Sequence, residues 1–298
     1  MIQANPQSQS CSKCRGCQYL LTNVKGLLFG EHCSCFSCDV CGGRGQIFEE
    51  DASGVSTLKE CSCAVLTQRL AKLNAAGIPG KFAGTQFETF NPVGDSQKQA
   101  KSRARDFVRD FGKTGQGLMF MGRPGLGKTH LAVSVIKALV LEWGADCKFI
   151  DFFQLLSDIR YGYSQDLSEQ AIIHPYVQAQ VLVIDELAKG RNTEWELTML
   201  DQIISSRYNA ADKITLVTTN YMDVPTEPER QTNDSKFADT QSPAYRKNAV
   251  GEETLQDKVG ERIFSRLVEM CQIVKLQGQD YRQEVLAQYP IAPKSRKR

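Results

Sequence analysis

The chain has 298 residues, a formal net charge of +2 and an apolar share of 41%. That length accommodates one full α/β domain with a small appended module, and the near-neutral charge excludes bulk electrostatic attraction to nucleic acid, so any basic surface must be local. The start, Met1–Gln7, is polar and lacks a signal-peptide pattern, and no apolar run approaches the ~18 residues of a spanning helix, so a cytoplasmic chain with no membrane partner is expected.

Residues 1–66 read as a cysteine-rich module. Nine of the eleven cysteines fall between Cys11 and Cys63, and in a cytosolic chain paired C-x-x-C spacing favours metal over disulfides. Cys38-Asp39-Val40-Cys41-Gly42-Gly43-Arg44-Gly45 is a knuckle whose glycines allow a tight turn with backbone N–H groups facing sulfur. Cys61 and Cys63 follow a stretch of hairpin character, Gln46–Phe48 and Ser56–Leu58. Cys38, Cys41, Cys61 and Cys63 are therefore the expected ligands of a closed, structural zinc (Zn2+) site. Cys11, Cys14, Cys17, Cys33 and Cys35 remain, with His32 beside them. A second zinc set drawn from these is most simply Cys11, Cys14, Cys33 and Cys35; other choices of four, and an iron–sulfur cluster, stay open. No long internal repeat is read from the sequence.

Residues 67–116 read as a connector. The spacing predicts a helix over Leu66–Leu73, a break at Gly77-Ile78-Pro79-Gly80 and a polar helix over Ser96–Phe111. From residue 117 to 285 strands and helices alternate. Strands are expected at Gly117–Met121, Lys148–Ile150, Val181–Ile184, Ile214–Thr218 and Ile273–Leu276, with helices at Thr129–Trp143, Glu194–Tyr208 and Leu255–Met270. Phe152-Phe153 opens a further core helix, and His174, just before Pro175, is placed in a loop. Such alternation implies an α/β domain, a parallel sheet covered by helices on both faces. The polar stretch 221–253 reads as an insertion, and 286–298 as a basic tail ending Lys294-Ser295-Arg296-Lys297-Arg298.

Gly122-Arg123-Pro124-Gly125-Leu126-Gly127-Lys128-Thr129 fills G-x-x-x-x-G-K-[ST] without a gap, between a strand and a helix. Its glycines let the loop turn N–H groups toward phosphate oxygens, and the helix that follows adds its positive end. Lys128 then serves the β- and γ-phosphates of ATP and the Thr129 hydroxyl serves Mg2+. His130, next in sequence, lines the start of that helix beside the cofactor. Val181–Ile184 runs into Asp185-Glu186: Asp185 at the carboxyl edge of the sheet suits Mg2+, and Glu186 suits a general base acting on water. The strand ending Thr218-Thr219-Asn220 brings Asn220 to the same edge.

Taken together, these motifs resemble the AAA+ P-loop ATPases. The run Gly260-Glu261-Arg262-Ile263-Phe264-Ser265-Arg266-Leu267, followed by Gly278-Gln279-Asp280-Tyr281-Arg282, resembles the end of the DnaC/DnaI-type helicase loaders and the related IstB transposition helpers. The resemblance implies that Arg266 is an arginine finger reaching a neighbouring copy's ATP site, with Arg262 one turn earlier. It also implies that Arg282 contacts phosphate in its own subunit and that Asn220 is the sensor on the central strand. A DnaB-type replicative helicase, single-stranded DNA and self-association through the ATP site are the partners implied, and the N-terminal module would engage the helicase. An IstB-like role in transposition and a zinc adaptor that binds ATP without turnover are the alternatives. The 221–253 stretch is longer than the corresponding connection in such loaders.

Overall fold

The computed structural model describes residues 11–50, 54–210, 212–223, 253–278 and 280–281. Arg282, the tail and most of the 221–253 stretch lie outside them.

Two small antiparallel hairpins come first. One joins β1 (Tyr19–Val24) to β2 (Leu27–His32), and the other β3 (Gln46–Glu50) to β4 (Ser56–Glu60). Helix α1 (Ala64–Ala75) follows, buries Leu66, Leu70 and Leu73, and gives way to single helical turns at Gly80–Phe82 and Phe87–Thr89. Helix α2 (Asp95–Arg109) then packs its alanine face, Ala100 and Ala104, against the main domain.

The main domain is a five-stranded parallel sheet. Its strands are β5 (Gly117–Met121), β6 (Cys147–Asp151), β7 (Val181–Asp185), β8 (Ile214–Thr219) and β9 (Cys271–Lys275), in the order β6-β7-β8-β5-β9. Side chains alternate across a strand, and here both faces are apolar. Leu118, Phe120, Val181, Val183 and Leu216 share one core with α2 and with α3 (Lys128–Ala138). Met119, Met121, Leu182, Ile184 and Val217 share a second core with α4 (Phe152–Tyr163), α6 (Glu194–Asn209) and α8 (Glu261–Met270). A sheet buried on both sides accounts for the unbroken apolar runs seen in its strands. Parallel strands also put all their carboxyl ends along one edge, where P-loop, Asp185 and Thr218 meet.

Three helices differ from expectation. The 129–143 segment is α-helical only to Ala138 and then widens into a π turn over Leu139–Trp143, closed by Gly144 at φ 67°. The expected Leu255–Met270 helix is two: α7 (Leu255–Val259), capped by Thr254, and α8, separated by Gly260 at φ 82°, ψ 156°. A residue in that conformation cannot continue a helix, and glycine takes it without steric cost. Finally, His174 sits exposed on a helix, α5 (Glu169–Gln178), rather than in a loop. Ser168 caps this helix by accepting from the Ala171 N–H at 3.2 Å, and the helix runs through Pro175 to Gln178.

Candidate functional site

Pro124, Gly125, Gly127, Lys128, Thr129, His130, Asp151, Asp185, Glu186, Lys189, Thr218 and Asn220 line one cavity of about 520 Å³, closed on other sides by Lys81, Phe82 and Tyr281. The P-loop makes one wall. Gly125 and Gly127 hold φ of 81° and 87°, so the chain turns in the left-handed region favoured by glycine. A Cβ on Gly127 would sit 2.4 Å from the Phe90 ring, and one on Gly125 would sit 1.9 Å from Asp280 Oδ1. Lys128 is buried and donates to the carbonyls of Gly122 and Arg123 at 2.7 and 2.8 Å. His130 meets the Gln86 carbonyl through Nε2 at 2.9 Å and stands edge-on to Phe90 at 5.3 Å. Burial holds its pKa below the ordinary histidine value.

The opposite wall is acidic. Thr129 Oγ1 donates to Asp185 Oδ1 at 2.8 Å, and Thr218 Oγ1 donates to the same oxygen at 2.6 Å. Strand β8 lies between β5 and β7, so Thr218 bridges the two motifs: its hydroxyl also accepts from the Glu186 N–H at 3.0 Å. Burial raises the Asp185 carboxyl above the usual carboxylate range, against the lowering effect of the two hydroxyls. A buried carboxylate beside a hydroxyl at the mouth of a phosphate loop is a donor set that fits a hard divalent cation. Glu186 takes φ 53° and ion-pairs with Lys189.

Thr218 and Lys189 were not singled out from the sequence. Thr218 had one signal, a polar side chain ending an apolar strand; Lys189 had none. Arg266 projects from α8 onto α6 of its own chain, donating to Asp201 Oδ1 at 2.9 Å and to Ser205, beneath the Tyr208 ring at 5.6 Å. Arg262 pairs with the same Asp201 at 3.5 Å. Neither arginine lines the cavity just described.

A sequence model of the IstB-like ATP binding proteins matches residues 64–238, more than half of the chain. The chain belongs to the IstB-like ATP-binding family. Among relatives, it is 26% identical over 180 residues to the replicative helicase loader DnaC of Escherichia coli K12, spanning 60% of this chain and 72% of that one. The DnaC of Buchnera aphidicola subsp. Schizaphis graminum is 27% identical over 157 residues, spanning 52% and 62%. A crystal structure of the DnaC helicase loader superposes with a TM-score of 0.52 at 28% identity, covering 66% of this chain and 99% of that one. The AAA+ fold class and the loader-type resemblance read from the motifs stand on these matches.

The family match begins at Ala64, directly after Cys63, so the cysteines precede the IstB-like region. The structure gathers them into two groups, Cys11, Cys14, Cys33, Cys35 and Cys38, Cys41, Cys61, Cys63, the sulfurs of each within 4.8 Å of one another. Sulfur pairs lie at 3.8 and 3.3 Å in the first and 3.6 and 3.2 Å in the second. Tetrahedral Zn–S bonds of about 2.3 Å place sulfurs about 3.8 Å apart, so both groups fit a four-thiolate ion. Burial pushes the Cys41 thiol up, but contacts from Cys63 and the Gly45 N–H outweigh it and bring it to about 6.

The two groups are copies of one module, contrary to the absence of an internal repeat expected above. Each is C-x-x-C, hairpin, C-x-C, and the backbones match turn for turn. Arg15, Gly16 and Gln18 have φ of 50°, 90° and 66°; Gly42, Gly43 and Gly45, each twenty-seven positions on, have 61°, 83° and 76°. Gln18 N–H donates to Cys14 Sγ at 3.3 Å and Gly45 N–H to Cys41 Sγ at 3.2 Å. Cys33 N–H donates to the Gln18 carbonyl and Cys61 N–H to the Gly45 carbonyl, at 2.9 and 2.8 Å. The first copy places one glycine, Gly16, on these conformations and the second places three, which hid the repeat from a reading by glycine pattern. Cys17 stands outside both groups, exposed, donating to the Cys14 carbonyl at 2.8 Å.

Proposed function

We propose that this protein is an ATP-dependent loader that places a DnaB-type replicative helicase on single-stranded DNA. The observation that carries this is the convergence of Lys128, Thr129, Asp185 and Glu186 on one cavity, in a chain whose likeness spans 99% of a DnaC helicase loader structure. ATP would supply the bond to be cleaved, and Thr129 and Asp185 would hold Mg2+, which would supply charge neutralisation at its phosphates. Lys128 exchanges its two loop carbonyls for phosphate oxygens. Glu186, once released from Lys189, takes the proton of the attacking water, while Asn220 orients the reacting phosphate. Arg282 serves the phosphates within the subunit. Arg266, aimed by Asp201 and Ser205, exchanges those partners for the site of a neighbouring copy, so turnover requires assembly. Cys11, Cys14, Cys33 and Cys35, and likewise Cys38, Cys41, Cys61 and Cys63, would each hold one Zn2+ that would keep its module closed. In this organisation residues 1–66 are the zinc-binding part, 67–116 the connector, 117–285 the ATPase and 286–298 a basic tail.

The test is ATP turnover by the purified protein, with and without single-stranded DNA, in the presence of the host's replicative helicase. A stable complex with DNA-stimulated turnover that Glu186→Gln lowers at least a hundredfold is expected. Turnover with no helicase association overturns the loader reading and leaves a transposition helper, which duplex DNA should stimulate better than single strands. No turnover under any of these conditions returns the zinc adaptor.

A further inference from the structure

The two cysteine modules share a backbone but not their surroundings. In the first hairpin Leu21 faces Gly30 across the strands, and in the second the equivalent pair is Phe48 and Leu58. Helix α1 covers the first pair. A Cβ on Gly30 would meet Leu70 Cδ2 at 2.9 Å and Leu73 Cδ2 at 3.4 Å, and the Asn74 side chain bonds both the N–H and the carbonyl of Gly30, at 2.6 and 3.0 Å. Among the described residues nothing of this kind covers the second pair. Phe48 is 77% exposed and Leu58 54% exposed, a larger apolar face than the one α1 buries.

We propose that this second face, centred on Phe48 and Leu58, receives a leucine-bearing, basic amphipathic helix of a partner protein. The docked copy shows what the module accepts: a helix laying leucines one turn apart across the paired strands. Charge sets the rest. By strand alternation the face with Phe48 and Leu58 also carries Gln46, Glu50, Ser56 and Glu60, two carboxylates and no cation, while Glu49 and Lys59 pair on the other side. Glu60 accepts from Gln68 of α1 at 3.1 Å. α1 itself has this character, with Arg69 and Lys72 beside its leucines and no acidic residue. Leu58 in place of Gly30 keeps an incoming helix further from the strands, so its leucines straddle Phe48 and Leu58 instead of closing on backbone. A second copy of this chain is a poor occupant: among the described residues every exposed leucine, Leu27, Leu58 and Leu167, lies outside the helices. The inference goes beyond the loader reading and does not depend on it.

The probe is a synthetic peptide with the sequence of residues 64–76, stapled between positions 67 and 71, which are exposed in α1, because so short a helix is marginal in water. Its binding to the full-length, zinc-loaded protein is followed by fluorescence anisotropy. Saturable binding is expected, weakened at least tenfold by the paired changes Phe48→Ser and Leu58→Ser. Metal content and circular dichroism of that variant show whether it is folded. Reversing charge on the peptide alone, Arg69→Glu with Lys72→Glu, should weaken binding to the unaltered protein at least tenfold. No binding, or binding indifferent to both sets of changes, overturns the proposal. A concentration-dependent rise in mass by light scattering, abolished by the paired serines, assigns the face to a second copy and overturns it too. So does loss of the same variant's binding to phosphatidylcholine vesicles when the peptide shows no affinity.

Discussion

The first cysteine module is built into the body of the molecule, and the second stands off it. Their sulfurs gather in the same way, and their knuckles turn through the same backbone angles. The difference is in what each hairpin meets. β2 buries Leu28 and lays Gly30 under α1, and α1 in turn reaches the core of the main domain through Leu73, the Arg69 bond to the Leu141 carbonyl and the Ala76 carbonyl on the Phe149 N–H. β4 is exposed along its whole length. One cysteine-knuckled hairpin thus serves beneath a neighbouring domain and the other stands free, and the side chains on one face of each decide which.

The comparison breaks first at the metals. Replacing Cys14 and Cys33 by serine should release one equivalent of zinc, uncover Leu70 and Leu73, and lower the melting temperature of the main domain by on the order of 10 °C. Replacing Cys41 and Cys61 should release the same equivalent and leave that transition in place. Metal analysis with calorimetry distinguishes the two, and equal effects would show that the modules do not differ as described. A smaller effect comes from exchanging the deciding residue. Gly30→Leu puts the second module's side chain into a space whose nearest occupant, Leu70 Cδ2, lies 2.9 Å from the new Cβ. Overpacking of this kind costs about 1–3 kcal/mol, visible as a lower urea midpoint.

The nucleotide site supplies a change of opposite sign that neither module should feel. Burial raises the Asp185 carboxyl, so folding favours its protonated form. Its contribution to stability is present at acid pH and is lost as pH rises through the raised value. Asp185→Asn should therefore raise the melting temperature of the nucleotide-free protein at neutral pH by about 2–4 °C, an advantage that shrinks toward acid pH, and should remove the stabilisation given by ATP with Mg2+. Scanning fluorimetry across pH reads both. Smallest of all is Leu58→Gly, which copies the first module's residue into the second. At an exposed position away from the core it should alter global stability by under ~0.5 kcal/mol, against the large cost of the reverse exchange.

The sheet and its phosphate edge were legible because their signals are contiguous. Gly122–Thr129 and Val181–Glu186 each join a buried strand to its chemistry within a few residues, so neither needed tertiary information. The grouping of Cys11, Cys14, Cys33 and Cys35 was reachable from spacing. What stayed hidden depends on backbone angles or on distant partners. The hairpin β1–β2 is short and half apolar on both faces. The module repeat shows in the φ of Arg15 and Gln18, residues that do not advertise a left-handed turn. The break at Gly260 was masked by leucine-type periodicity on either side. Asp201 and Ser205, which hold Arg266, lie on another helix some sixty residues away.

The chain beyond β9 returns to the P-loop. Tyr281 N–H donates to the Gly125 carbonyl at 3.2 Å, and Asp280 fills the space where any side chain on Gly125 would stand. The loop that cradles phosphate is thus also the anchor of the polypeptide's last described residues. The described end of the chain and the phosphate loop are thereby set against each other, so that a displacement of either is felt by the other.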